Sequence, residues 1–116
     1  MVLGQGIDII EVERISKAVK RWGDDFLKHV FTDQEIAYAR KRRFPDQHFA
    51  ARFAAKEAVL KALGENSDVG WKDIEIINQH SGKPSCIIHK KDFKQKILLS
   101  MSHTEHYAVA SAIITT

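Results

Sequence analysis

The chain has 116 residues, 44% hydrophobic and 28% charged, with a formal net charge of +3. This describes one domain, residues 1–116, large enough for one real core and of ordinary globular composition. No apolar run approaches the roughly 18 residues of a membrane span, and the opening MVLGQGIDII has neither a basic leader nor a small-residue cleavage site. The single cysteine, Cys86, excludes an internal disulfide and a cysteine-based zinc cluster and suits a reducing, cytoplasmic setting. Mild basicity is compatible with nucleic acid, an acidic protein or a phosphorylated cofactor as partner.

Met1 to Ile10 reads as a strand. Asp8 would share a pleat face with Gly6 and Ile10, although Asp is depleted in strands. Either it caps a turn or edge, or it serves a site. Gly4 and Gly6 allow close approach of something bulky, but the third glycine of a dinucleotide fingerprint is missing. From Glu11 to Trp22 the period becomes helical, with Val12, Ile15, Val19 and Trp22 as the apolar stripe and Gly23 as the stop. Arg14, Lys17 and Arg21 lie opposite, read as one-sign and free of interleaved carboxylates. They form either a solvated face or a docking face for an acidic surface.

Thr32 and Glu35 make a capping box, with Phe31 and Ile36 as the hydrophobic staple. The helix they start runs into Arg40, Lys41, Arg42 and Arg43, cations suited to a helix C-terminus and numerous enough for a phosphate-rich partner. Phe44-Pro45 breaks it, and Asp46 is the expected cap of the next helix. That helix, His48 to Leu63 with Gly64 as stop, is the centre of the chain. Phe49, Phe53, Leu60 and Leu63 are expected to face the core. Glu57 falls about 40° from Phe53 on the helical wheel, with Lys61 one turn further on. The pair is either surface decoration or a carboxylate held at the core edge by a cation.

Beyond Gly64 the pattern turns to β: Ile74 to Ile77, Ser85 to His89, Lys96 to His103 and Tyr107 to Thr115, with a short helical turn over Asp92 to Gln95. The fold class is therefore α+β: an N-terminal strand, three to four helices, then antiparallel strands forming one sheet. No HExxH, GxSxG elbow or Walker loop is present. The remaining constellation is Asp8 with Glu57 among cations and hydroxyls, and hard oxygen ligands of this kind suit Mg²⁺ acting on a phosphate compound.

In order, Gly6-Ile7-Asp8, Glu13-Arg14-Ile15, Phe31-Thr32-x-x-Glu35, Arg52-Phe53-Ala54-Ala55-Lys56-Glu57-Ala58, Gly82-Lys83-Pro84 and Ser102-His103-Thr104 span nearly the whole chain. This set resembles the holo-acyl-carrier-protein synthases, the small stand-alone 4′-phosphopantetheinyl transferases of bacterial fatty acid synthesis. The resemblance implies Asp8 and Glu57 as ligands of Mg²⁺ and Lys61 beside the phosphate being transferred. It places Arg52, Lys56, His103, Thr104 and the turn Gly82, Lys83, Pro84 near coenzyme A. It also implies a homotrimer with active sites between protomers. Two features depart from the family pattern. Larger relatives carry a further acidic ligand two residues after the aspartate, where Ile10 stands here, and the segment between Gly64 and Trp71 lacks the expected glycine richness.

The implied reaction is attack by a serine hydroxyl of apo-acyl carrier protein on the β-phosphate of coenzyme A, with 3′,5′-ADP leaving. Glu57, directly or through a bound water, is the candidate proton acceptor, and Lys61 supplies a point charge. Arg14, Lys17 and Arg21 would receive the acidic carrier. Two other functions use the same residues. A metal-dependent phosphohydrolase would take water as nucleophile. An RNA-binding module would need aromatics interleaved with cations on a sheet face, and the strands from Ile74 onward offer only Phe93 and Tyr107. Neither nucleic acid nor membrane is therefore expected as a partner.

Overall fold

The computed structural model describes residues 1–116. Strand β1 (Val2–Glu11) leads into α1 (Val12–Trp22), α2 (Asp24–Val30), α3 (Asp33–Arg40) and the long α4 (Pro45–Leu63). A 3-10 turn (Trp71–Asp73) precedes β2 (Ile74–Asn78), β3 (Pro84–Ile88), β4 (Lys96–His103) and β5 (Tyr107–Thr115). The α+β class and the order of elements agree with the sequence reading. No helix is long and apolar enough to cross a membrane.

The strands do not form one sheet as expected. They form a three-stranded antiparallel sheet, β1-β5-β4, and a separate β2-β3 hairpin. Strand β5 has β1 on one edge and β4 on the other, and the hairpin ladders only with itself. The expected helical turn over Asp92 to Gln95 reduces to one backbone bond, from the Phe93 N–H to the Lys90 carbonyl. A short helix that the sequence reading missed, α2, follows Gly23, whose φ of 55° lets the chain leave α1 and restart at once.

Helix α4 lies across the inner face of the sheet because both surfaces are built from small residues. Ala108, Ala110 and Ala112 of β5 are buried, as are Ala50, Ala51, Ala54, Ala55 and Ala58 of α4. On β1 the close approach requires glycine. A Cβ on Gly6 would stand 2.0 Å from the Ala58 carbonyl oxygen, and one on Gly4 would stand 2.1 Å from that of Ala62. The bulky neighbour expected from the sequence is thus the α4 backbone itself.

Helix α4 is enclosed almost all round, so the expected single apolar side is too narrow a description. Phe49 is buried, whereas Phe53, Leu60 and Leu63 are only partly covered. The helix begins with Pro45 at its first position and has no side-chain cap. Asp46 therefore acts only as a negative charge in the first turn, correcting its assignment as the cap.

The capping box of α3 forms as expected. The Thr32 hydroxyl accepts from the Glu35 N–H at 3.3 Å and the Thr32 N–H donates to Glu35 Oε1 at 2.8 Å. Glu35 does more than cap. It is buried, forms a 2.7 Å ion pair with Lys56 Nζ, and accepts from the Ile76 N–H through Oε2. This single carboxylate joins α3, α4 and β2.

Candidate active site

Two places on α4 gather the residues singled out from the sequence. At the first, β1 brings Asp8 beside the C-terminal half of the helix. Asp8 lies on the inward face of β1 with Gly6 and Ile10, opposite Ala110 of β5. Its side chain is 16% exposed, and Oδ1 accepts from Lys61 Nζ at 3.2 Å. Lys61 also donates to the Ile7 carbonyl at 3.0 Å. An ammonium carries three donors, so one N–H remains for a ligand, and the Lys61 side chain is 52% exposed.

Glu57 lies close enough to Asp8 to feel its charge. Partial burial first, then the Asp8 charge, raise the Glu57 carboxyl above its ordinary pKa, with Lys61 opposing them. Two neighbouring carboxylates, of which only Asp8 pairs with the Lys61 ammonium, form an electrostatically unfavourable arrangement that a divalent cation would relieve. Ile10 is buried in the core and adds no ligand. No group of three or more His, Cys, Asp or Glu side chains converges anywhere. A cation held by Asp8 and Glu57 would therefore keep positions for water and phosphate oxygens, as Mg²⁺ prefers. Beside Lys61 runs an open groove of about 540 Å³ between Gln5, Gly6, Ile7 and the Ser111–Ile113 stretch of β5.

The second place is a smaller cleft of about 180 Å³ at the other end of α4, lined among others by Arg52, His103, Gly82 and Pro84. Its less predictable members are Tyr38, His48 and Asn78. Arg52 is 2% exposed. Its guanidinium stands 4.1 Å from the Tyr38 ring centroid, as does that of Arg42, and Nη2 donates to Asn78 Oδ1 at 3.3 Å. Asn78 in turn donates to the Tyr38 hydroxyl. Arg52 Nε is a buried donor with no acceptor. Gly82 takes φ 87°, which closes the hairpin turn through its N–H bond to the Gln79 carbonyl.

The residues of the cofactor group are not all brought together. Lys56 is fully enclosed; its ammonium is used up by Glu35, the Val30 carbonyl at 2.8 Å and the Trp71 carbonyl at 3.0 Å. Its chemistry in this structure is structural. The Thr104 hydroxyl accepts from the His106 and Tyr107 N–H groups and so caps the β4–β5 turn. Lys83 is exposed on the hairpin turn and its backbone N–H meets Ser81 Oγ.

Arg14, Lys17 and Arg21 are all exposed on α1. The stripe is not free of carboxylates, because Glu13 pairs with Lys17 at 3.3 Å. That pair is an ordinary i,i+4 contact on one helix face. Trp22, expected in the apolar stripe, is 54% exposed with the Arg21 guanidinium 4.8 Å from its ring. The sequence reading missed His48, Tyr38 and Asn78. His48 carried one usable signal, its position four residues before Arg52 on the same helix. Tyr38 and Asn78 carried none, since β2 and α3 meet only in three dimensions.

A sequence model of the 4′-phosphopantetheinyl transferase superfamily matches residues 4–112. A protein of Protochlamydia amoebophila named holo-[acyl-carrier-protein] synthase is 46% identical, the match covering 97% of this chain and 98% of the relative. Among solved structures, the holo-(acyl-carrier-protein) synthase of Bacillus anthracis in complex with CoA (3′,5′-ADP) superposes with a TM-score of 0.86 at 36% identity, covering 98% of this chain and 96% of that one. The holo-[acyl-carrier-protein] synthase of Helicobacter pylori in complex with coenzyme A gives 0.85 at 30% identity, covering 96% and 99%.

Proposed function

The chain belongs to the 4′-phosphopantetheinyl transferase superfamily, and from that premise we propose that it transfers 4′-phosphopantetheine from coenzyme A to a serine of apo-acyl carrier protein, with Mg²⁺ held by Asp8 and Glu57. The observation that carries the site assignment is the Asp8–Lys61 ion pair with the Glu57 carboxylate near enough to feel both charges. The names of near full-length relatives support the reaction, and it places the enzyme in fatty acid synthesis.

The serine oxygen attacks the β-phosphorus of coenzyme A, the phosphorus bearing pantetheine. A P–O bond to the carrier forms, the P–O bond to the nucleotide breaks, and 3′,5′-ADP leaves. The serine proton passes to Glu57 or to a water that it holds. Lys61 is anchored by the Ile7 carbonyl and Asp8, which fixes its remaining N–H for a phosphate oxygen. Bound Mg²⁺ would supply neutralisation of charge on the phosphate oxygens. Arg14 and Arg21 of α1, with the partly paired Lys17, serve as the docking face for the acidic carrier.

The expectation of a homotrimer with shared sites has support in the layout of α4. Arg52 and Lys61 are nine residues apart, hence about 180° apart on the helix and about 13 Å along it. One chain therefore turns its phosphate-transfer group and its arginine cleft to opposite sides, and a ligand needing both calls on two protomers. The outer face of the three-stranded sheet carries several exposed apolar side chains, Leu3, Ile7, Ile9, Leu98 and Tyr107 among them, as suits contact with further copies.

Product analysis separates this reading from a phosphohydrolase. Formation of 3′,5′-ADP should require apo-carrier protein; its release from coenzyme A and water alone would establish hydrolysis. Mixing Glu57→Gln and Arg52→Ala proteins after dissociation and reassembly should restore activity if sites are shared. No recovery would place each site within one chain.

A further inference from the structure

Coenzyme A carries two phosphate groupings of different chemistry, a pyrophosphate and a 3′-phosphate monoester. On the reading above, the pyrophosphate belongs with Asp8, Glu57 and Lys61. The Arg52 cleft has no carboxylate among its lining residues, so it suits an anion held by the protein's own cations and donors. Arg52 supplies a fixed charge and a buried Nε–H still lacking an acceptor. His103 enters from β4 and His48 from α4 itself, while Arg42, in the turn after α3, stacks on the Tyr38 ring that lines the cleft.

The two imidazoles are in contact, with ring centroids 5.0 Å apart and edge to face, and the Tyr38 ring lies 5.9 Å from that of His48. We propose that His48 is a further cationic group of this cleft, recruited by proton uptake when the 3′-phosphate monoester of coenzyme A enters it. This rests on the transferase reading and adds a residue and a proton to it.

Both the geometry and the electrostatics favour that linkage. Without an anion, partial burial first, then His103, Arg52 and Arg42, hold the His48 imidazolium below its ordinary pKa. The titratable and charged groups facing it are Tyr38 and Arg42 on the α3 side, Arg52 on α4 and His103 on β4. Glu35 acts on Arg52 from behind. A dianion placed among these groups reverses the balance, because each cation that repels the His48 proton is then offset by the phosphate. His48 thereby changes from a neutral wall into a donor with charge, and a charge-assisted bond to phosphate is stronger than a neutral one. Binding and proton uptake are linked, so affinity must fall as pH rises.

The test is calorimetric titration of the full protein with coenzyme A and with dephospho-coenzyme A, which lacks only the 3′-phosphate. Each titration is run between pH 6 and 8, in two buffers of different ionisation heat. His48→Gln removes the titrating group, and His48→Phe keeps a ring against Tyr38 and His103 should the first variant fold poorly. With coenzyme A, the native protein should take up more protons than either variant. Its Kd should weaken more steeply with pH, by up to about tenfold per unit between the two pKa values of the linkage. The phosphate's own second ionisation, near pH 6, is common to all three proteins and cancels in the comparison.

With dephospho-coenzyme A the difference between native and variant should vanish. Equal proton uptake by native and variant proteins would overturn the proposal. So would a difference that persists with dephospho-coenzyme A, since it would separate His48 from the monoester. Failure of the native protein to bind coenzyme A at all would remove the transferase reading itself, and this proposal with it.

Discussion

Lys56 stands in the middle of the most distinctive sequence motif, yet the structure gives it no access to a ligand. Replacing it with methionine is therefore a test of stability rather than of cofactor binding. The Lys56 and Glu35 side chains are both fully buried and 2.7 Å apart. Coulomb attraction at that distance, in an effective dielectric of about 20, is roughly 6 kcal/mol, against a desolvation cost of several kcal/mol for each ion. The pair is thus worth little net. Breaking it is costly, because Lys56→Met leaves Glu35 buried with only the Thr32 and Ile76 N–H groups and removes the donor to the Val30 and Trp71 carbonyls. Loss of one partner from such a pair costs about 3–5 kcal/mol. For a chain of this length that is a fall in Tm of roughly 12–20 °C, at about 2.1 cal/mol/K of unfolding entropy per residue. The double variant Lys56→Met/Glu35→Gln should recover at least half of the loss. Thermal unfolding of the two single variants and the double gives the coupling, and coenzyme A titration below the lowered Tm gives the functional readout. A near-native Tm for Lys56→Met combined with weakened coenzyme A binding would refute the structural assignment and return Lys56 to the cofactor site.

Asp8→Asn or Glu57→Gln should preserve the fold while turnover falls by more than tenfold at limiting Mg²⁺; near-native rates for both would remove these carboxylates from the metal. In metal-free protein, Glu57→Gln should also raise Tm. The folded-state pKa of Glu57 is raised, so its ionisation costs stability as pH rises through that value. The gain should thus appear at neutral pH and vanish below the ordinary carboxylate pKa, and Tm measured at pH 4 and pH 7.5 checks the sign. Reversing Arg14→Glu and Arg21→Glu together should raise the KM for carrier protein severalfold and leave that for coenzyme A unchanged. The effect should fade with salt because screening acts within about 8 Å at 0.15 M. A raised KM for coenzyme A would place those arginines at the cofactor instead.

The parts of this protein readable from its sequence are those decided locally. Thr32 and Glu35 announce a capping box because both partners lie within one turn, and Gly64 ends α4 for a similarly local reason. The Asp8, Glu57 and Lys61 group was visible because a carboxylate in a strand and another at the edge of a core helix both conflict with their surroundings. Where tertiary packing decides, the reading fell short. Phe53 and Leu60 lie at the margin of α4 because the alanines let the sheet come close on one side. Lys56 is buried because Glu35, twenty-one residues earlier, meets it in the core. Glu13 qualifies the basic stripe through a contact only one turn away, one that the stripe's spacing should have exposed. His48 is not legible as a site residue in the sequence because its neighbours Tyr38 and His103 arrive from distant elements.

The most direct test is the intact mass of an apo-acyl carrier protein incubated with this protein, coenzyme A and Mg²⁺. The carrier should gain the mass of one 4′-phosphopantetheine at its serine, with one 3′,5′-ADP formed for each carrier converted and no gain when Glu57→Gln replaces the native protein. An unchanged carrier mass with several apo-carriers, in the presence of the metal, would contradict the assignment.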